Sequence, residues 1–130
     1  MPDYIVYHKA EVMGYPAIEV DNLSIYTNKT ITEALGGQVW LIAGAGRPRE
    51  YFLRATFRIH RIEPSDKAEF SARIIGTSGQ LLDPMPKLND ELWFPDFVEE
   101  QGRFAFGFNR IKNEIASAGF RAVLAANPIL

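Results

Sequence analysis

Residues 39–62 read VWLIAGAGRPREYFLRATFRIHRI. Two β-rich runs flank a loop containing Gly, Pro and Arg, which is the pattern of two strands joined by a hairpin whose glycines supply positive φ. Val39 to Ala43 is apolar on both parities, as expected for a central strand covered on both sides. The second run splits by parity. Tyr51, Leu53, Ala55, Phe57 and Ile59 fall on one face, and Phe52, Arg54, Thr56, Arg58 and His60 on the other. Side chains alternate across a pleated sheet, so this strand is expected to turn one face to a core and to carry basic residues on the other. Arg47 and Arg49 lie in the loop just before it. The formal net charge of the chain is −2, so the basic stripe is a local feature and not a consequence of bulk composition. It implies an anion-facing surface.

At 130 residues, a single domain spanning 1–130 with one core is expected. The absence of cysteine excludes disulfides and thiolate metal sites, and fits a reducing cytoplasmic setting. With two histidines a zinc site is not expected, and neither metal nor cofactor is implied. The opening MPDYIVYHKAEV carries charges and no apolar core, unlike a signal peptide. No run approaches the ~18 apolar residues of a membrane span, so a membrane partner is not expected.

Outward from the hairpin, Tyr4 to Lys9 reads as an opening strand, followed by the short extended pieces PAIEV and SIYT. Thr30 to Glu33 matches a capping box and Gly36-Gly37 a helix stop, which predicts a short helix over 31–35. Glu69 to Ile75 alternates, with Phe70, Ala72 and Ile74 inward, and Gly76 to Gly79 predicts the end of that strand. LLDPMPKLND is too rich in proline for a helix and reads as an extended connection. Asp90 to Trp93 reads as a helical turn. Pro95 then opens a helical piece, PDFVEEQ, closed by Gly102. Arg103 to Phe108 reads as a short aromatic strand or an irregular segment, interrupted by Gly107. Asn109 is placed as the N-cap of a terminal helix over 110–126, with Ile111, Ile115, Ala118, Ala122 and Val123 as its apolar stripe and Asn127-Pro128 as its end. The order is that of an α+β fold with a strongly bent or barrel-like sheet.

Catalytic patterns are weak. Gly44 to Pro48 lacks the Gly-Lys-Ser/Thr ending of a phosphate loop, and a strand follows it where a helix N-terminus is required. His8 and His60 have the chemistry of an acid–base pair, but nothing in the chain brings them together. Asp90, Glu91, Asp96, Glu99 and Glu100 read as a solvated face. There is no nucleophile elbow. No catalytic residue is assigned.

Arg54 and Arg58 lie four residues apart on one strand face, about 13 Å at ~3.3 Å per residue. That is about twice the roughly 6–7 Å between neighbouring phosphates of a nucleic-acid strand. Arg73 could extend the surface. The competing reading pairs these arginines with carboxylates on neighbouring strands, such as Glu69. Trp40 reads as core, whereas Tyr7, Tyr26, Trp93 and Phe94 are candidates to wall a pocket and stack on a base.

The segments YIVYH, VWLIAGAG…YFLRATFRIHRIEP, PMPKL and FAFGFNRIKNEIASAGFRAVL together resemble the PUA-like superfamily, its EVE-like and YTH-like members in particular. The resemblance implies a small, strongly curved β-barrel (a pseudobarrel) flanked by short helices and a C-terminal helix. It also implies binding of RNA or DNA, with a modified base flipped into an aromatic-walled pocket. On that reading Tyr7, Tyr26, Trp93 and Phe94 are the walls, and Arg47, Arg49, Arg54, Arg58 and His60 meet the phosphates. Two alternatives stay open. One is a protein-interaction or homo-oligomeric assembly module using Trp93, Phe94, Phe104, Phe106 and Phe108. The other is a small enzyme acting on an anionic metabolite with His60 as base.

Overall fold

The computed structural model describes residues 3–9, 18–19, 24–27, 35–45, 49–64, 72–82, 86–102 and 108–127. The apolar run at 38–45 forms strand β4 (Gln38–Ala45), which pairs antiparallel with the long β5 (Glu50–Pro64) on one side. On its other side it pairs parallel with β1 (Asp3–Lys9). Three short strands, β2 (Ile18–Glu19), β3 (Ser24–Thr27) and β7 (Phe108–Ile111), and the longer β6 (Ala72–Leu81) complete one mixed sheet of seven strands among the described residues. The order across it is β2-β3-β6-β5-β4-β1-β7. Two helices, α1 (Phe94–Glu100) and α2 (Glu114–Ala126), make this a small α+β domain.

The double-parity apolar pattern of β4 has the expected consequence: both faces of the sheet are buried. Trp40 and Ile42 join Ile5, Leu53, Ile111 and the helix residues Phe94, Phe97, Phe120 and Val123 in one core. Val39 and Leu41 join Tyr4, Val6, Ala55, Phe57, Ile59 and Ile74 in a second core, which among the described residues is built from strands.

The single-face reading of β5 is overturned by a bulge. Leu41 pairs with Ala55 but Ile42 pairs with Leu53, so Arg54 is an extra residue facing no partner on β4. An inserted residue reverses the alternation of everything beyond it. Leu53, with Tyr51 packed alongside, therefore belongs to the helix-side core, while Ala55, Phe57 and Ile59 turn to the other. A second extra residue, His60, lies between the pairs Ile59–Gly76 and Arg61–Ile75.

Other expectations divide. β6 does not stop at Gly76; it runs on to Leu81, and a Cβ at Gly76 would collide with the Phe57 ring that packs there. The proline-rich connection is extended as expected. Leu53 N–H donates to Pro86 O at 3.0 Å and Leu88 N–H to Tyr51 O at 2.8 Å, which covers the open edge of β5 at its start. Helix α1 has Pro95 in its first turn, and Gly102 follows at φ 60°. The expected helix at 31–35 falls almost wholly outside the described residues, although Gly36 adopts φ 82° as a stop residue would.

The terminal helix begins later than Asn109. Residues 108–111 are strand because their backbone pairs with β1, with Ile111 opposite Asp3. Asn113 caps α2, its Oδ1 accepting from Ile115 N–H at 2.9 Å and Ala116 N–H at 3.2 Å. The buried stripe is Ala116, Phe120 and Val123, whereas Ile115 is 70% exposed.

Candidate nucleic-acid interface

Pairing across β5, β4 and β1 decides which way the basic residues point. Thr56 pairs with Trp40, which belongs to the helix-side core, so the even residues beyond the bulge turn to that side. Thr56 is 1% exposed; its hydroxyl donates to Val39 O at 2.7 Å and accepts from Gln38 Nε2 at 2.6 Å. Arg58, next but one, is exposed at the rim of the same face, and Arg54 is half-buried at the bulge. Arg58 is thus on the helix side of the sheet, while Arg54, opposite no residue of β4, is not set on either face by pairing.

Among the described residues neither Arg54 nor Arg58 has an ion-pair partner. The carboxylates of this region are used elsewhere on β5 and β6: Glu63 lies 3.8 Å from Arg61 and 4.0 Å from Arg73. Glu69 lies outside the described residues, as does Arg47. Arg49 is half-buried, and its carbonyl accepts from Asn89 Nδ2 at 3.1 Å, while Asn89 Oδ1 accepts from Tyr51 N–H at 2.7 Å. Asn89 thus pins the start of β5. His60 is exposed at its bulge, and the side chain of His8 is outside the described residues.

Three of the four aromatic candidates belong to one run of rings. Tyr7 and Tyr51 have centroids 5.8 Å apart, Tyr51 and Phe94 5.4 Å, and Phe94 and Trp93 5.6 Å. Phe94 is 2% exposed, so it supports the run from within the core and does not face an open pocket. Tyr7 and Trp93 are half-buried, and Trp93 also packs on Phe97 and Phe120. Tyr26 is four strands from β1 in the sheet order, in β3 opposite Arg73, and its side chain is outside the described residues. Phe104 and Phe106 are outside them as well.

Sequence patterns do not single out the polar cluster around Asp3. Arg121 donates from Nη1 to Asp3 Oδ2 and from Nη2 to Asp3 Oδ1, both at 2.8 Å, across 118 residues of chain. Trp40 Nε1 donates to Asp3 Oδ1 at 3.2 Å, and the Arg121 guanidinium lies 5.6 Å from the Trp40 ring. Burial pushes the Asp3 carboxyl up, but hydrogen bonds from Arg121, Ser117 and Trp40 and the Arg121 charge together hold it below its ordinary value. No group of three or more His, Asp or Glu suited to a metal ion occurs among the described residues. Nor is any helix there long and apolar enough to cross a membrane. No known protein family, curated protein or solved structure matches the chain.

Proposed function

We propose that this domain is a nucleic-acid-binding module of the PUA-like kind, with its strongly curved sheet wrapped into a pseudobarrel. The observation that carries the reading is the pair Arg54 and Arg58. They lie on either side of the buried Thr56 along β5, Arg54 at the bulge and Arg58 on the helix-side face, and neither has a counter-charge among the described residues. On a chain of net charge −2, cations left without partners are a local investment in binding an anion. Among the described residues the second core is made of strand residues, which a sheet can enclose by curling upon itself, and this supports the pseudobarrel. The bulges at Arg54 and His60 supply local curvature.

In this reading Arg54 and Arg58 meet phosphates, with Arg47, Arg49 and His60 extending the surface. A base, modified or not, stacks on Tyr7 or Trp93, the half-buried rings of the run. Tyr7 pairs with Ile42 and Ile42 with Leu53, so Tyr7 stands two strands, about 10 Å, from the Arg54 bulge. Fluorescence anisotropy with pools of modified and unmodified oligonucleotides over a salt series tests the proposal. Binding that weakens steeply with salt, and less steeply in Arg54→Gln/Arg58→Gln, supports it. No salt-sensitive binding to any pool refutes it.

A further inference from the structure

We infer that the junction of α1 and α2 is a docking surface for a basic, amphipathic segment of another protein. The inference does not depend on the nucleic-acid reading and adds a second partner to it.

Three apolar side chains meet at this junction. Trp93 has helical backbone angles, φ −82° and ψ −14°, so it extends α1 backwards. Its indole lies against Gly119 of α2, where a Cβ would overlap Cε2 and Nε1. Ile115 stands one helical turn before Gly119, on the same flank of α2. Leu92 immediately precedes Trp93. Leu92 is 97% exposed and Ile115 70%, the two highest values for large hydrophobic residues among those described. The half-buried Trp93 links them.

A single exposed apolar side chain is ordinary on a protein surface. This group also carries a polar handle. The Trp93 Nε1–H reaches solvent and finds no acceptor among the described residues. An indole with a packed body and a wet donor is a frequent interface anchor. Ile115 is not needed by the core, because the buried stripe of α2 is Ala116, Phe120 and Val123.

Charge states the class of partner. Between Leu88 and Gly102 the chain has five carboxylates and no Lys or Arg. Asp90 and Glu91 lead into Leu92, and Asp96 follows Trp93 by three residues, on the same flank of α1. None of these three has an ion-pair partner among the described residues. The nearby cations are used elsewhere: Lys87 lies 4.0 Å from Glu50, and Arg121 holds Asp3. Arg110 and Lys112 share their clefts with Glu100 and Glu114. The junction is thus apolar at its centre and negative at its margin. A phosphate backbone is repelled there. A peptide with apolar side chains on one side and Lys or Arg beside them fits both features. Two copies of this chain facing each other through the junction would bring like charges together. With Trp93 given to the peptide, Tyr7 is the ring left for a base.

The test titrates the full chain with three labelled peptides of about 14 residues: leucine and lysine at helical spacing, leucine and glutamate at the same spacing, and a scrambled leucine–lysine sequence. Anisotropy gives affinity. Tryptophan emission reports the site, because Trp40 is 1% exposed and Trp93 is the indole open to solvent. The patterned leucine–lysine peptide should bind and shift the emission to the blue, with the other two roughly tenfold weaker. Leu92→Ser/Ile115→Ser should weaken that binding roughly tenfold and leave the thermal melt in place, since both side chains are exposed. Asp90→Asn/Glu91→Gln should weaken it about threefold and flatten its salt dependence. No binding of the patterned peptide, equal binding of all three, or full affinity in Leu92→Ser/Ile115→Ser overturns the proposal. A concentration-dependent mass of the free chain, abolished by that variant, assigns the surface to a second copy and overturns the partner class. Oligonucleotide binding should be the same in both variants as in the wild type. Its loss in both would give the junction to nucleic acid and overturn the proposal.

Discussion

Arg121 of α2 holds Asp3 of β1 in a two-pronged grip, with both guanidinium contacts at 2.8 Å. The Asp3 side chain is 7% exposed and the Arg121 side chain 51%, so the carboxylate is buried while its partner stands half in water. This grip ties the C-terminal helix to the strand beside β4. Trp40 lies under both partners, donating to Asp3 and stacked at 5.4 Å on Phe120.

Removing the guanidinium therefore strands a buried charge. A fully buried pair broken in this way costs about 3–5 kcal/mol, and the exposure of Arg121 reduces that to about 2. Arg121→Met keeps the aliphatic stem and should lower Tm by roughly 6–12 °C for a chain of this size, read by thermal denaturation. Asp3→Asn/Arg121→Met should recover part of the loss, because no charge is then left in the core. A double variant as unstable as the single one would mean that the grip contributes packing and not charge compensation.

The same pair sets an acid limit. The folded-state pKa of Asp3 is depressed below its ordinary value of 3.8. A depressed carboxyl contributes stability that is fully present above the unfolded value and is lost as pH falls through the folded one. Below about pH 4 the unfolded chain binds the proton more readily than the native one, so unfolding is favoured by acid. Melts at pH 7, 5, 3.5 and 2.5 should show the wild type losing more stability below pH 4 than Asp3→Asn does. Parallel curves for the two proteins would contradict this.

Gly119 is the one glycine of α2, and helix propensity alone favours replacing it with alanine by ~1 kcal/mol. Here a Cβ would collide with the Trp93 indole, at Cε2 and Nε1. The ring cannot yield readily, because it is held edge-on against Phe120 at 4.8 Å and Phe97 at 6.1 Å. Overpacking of about 1–3 kcal/mol outweighs the propensity gain. Gly119→Ala should be less stable than the wild type by chemical denaturation, and an increase in stability would show that Trp93 moves freely.

What could be read from the chain, and what could not, follows from the reach of each signal. The apolar run at Val39 to Ala43 announces a strand buried on both faces because each of its residues reports its own environment. The hairpin is equally plain, since strand follows the glycines. The bulge at Arg54 is silent because an inserted residue changes the phase and not the composition. That is why odd residues of β5 read as one core face when they serve two. The phase of α2 was lost for a related reason. Asn109 and Asn113 are equally good caps by residue type, and only the pairing of Ile111 with Asp3 decides between them. Arg110, which the terminal-helix pattern includes, is strand for the same reason, paired with Tyr4 of β1.

The bulge makes the last prediction the sharpest, because its backbone and its side chain can be separated. Arg54 stands opposite no residue of β4, while its carbonyl accepts from Leu82 N–H at 2.9 Å. Arg54→Ala keeps the backbone and that hydrogen bond, so it should change stability by no more than about 1 kcal/mol. Deleting Arg54 closes the bulge: Ala55 would follow Leu53 directly and still stand opposite Leu41, so Leu53 keeps the helix-side core and Ala55, Phe57 and Ile59 keep the other. The deletion removes the acceptor of the Leu82 N–H, a hydrogen bond worth about 0.5–1.5 kcal/mol. The deletion variant should therefore keep a cooperative thermal transition, somewhat below that of the wild type, while Arg54→Ala melts close to the wild type. Loss of the cooperative transition on deletion would show that the bulge does more than insert a residue between two faces that alternation already sets.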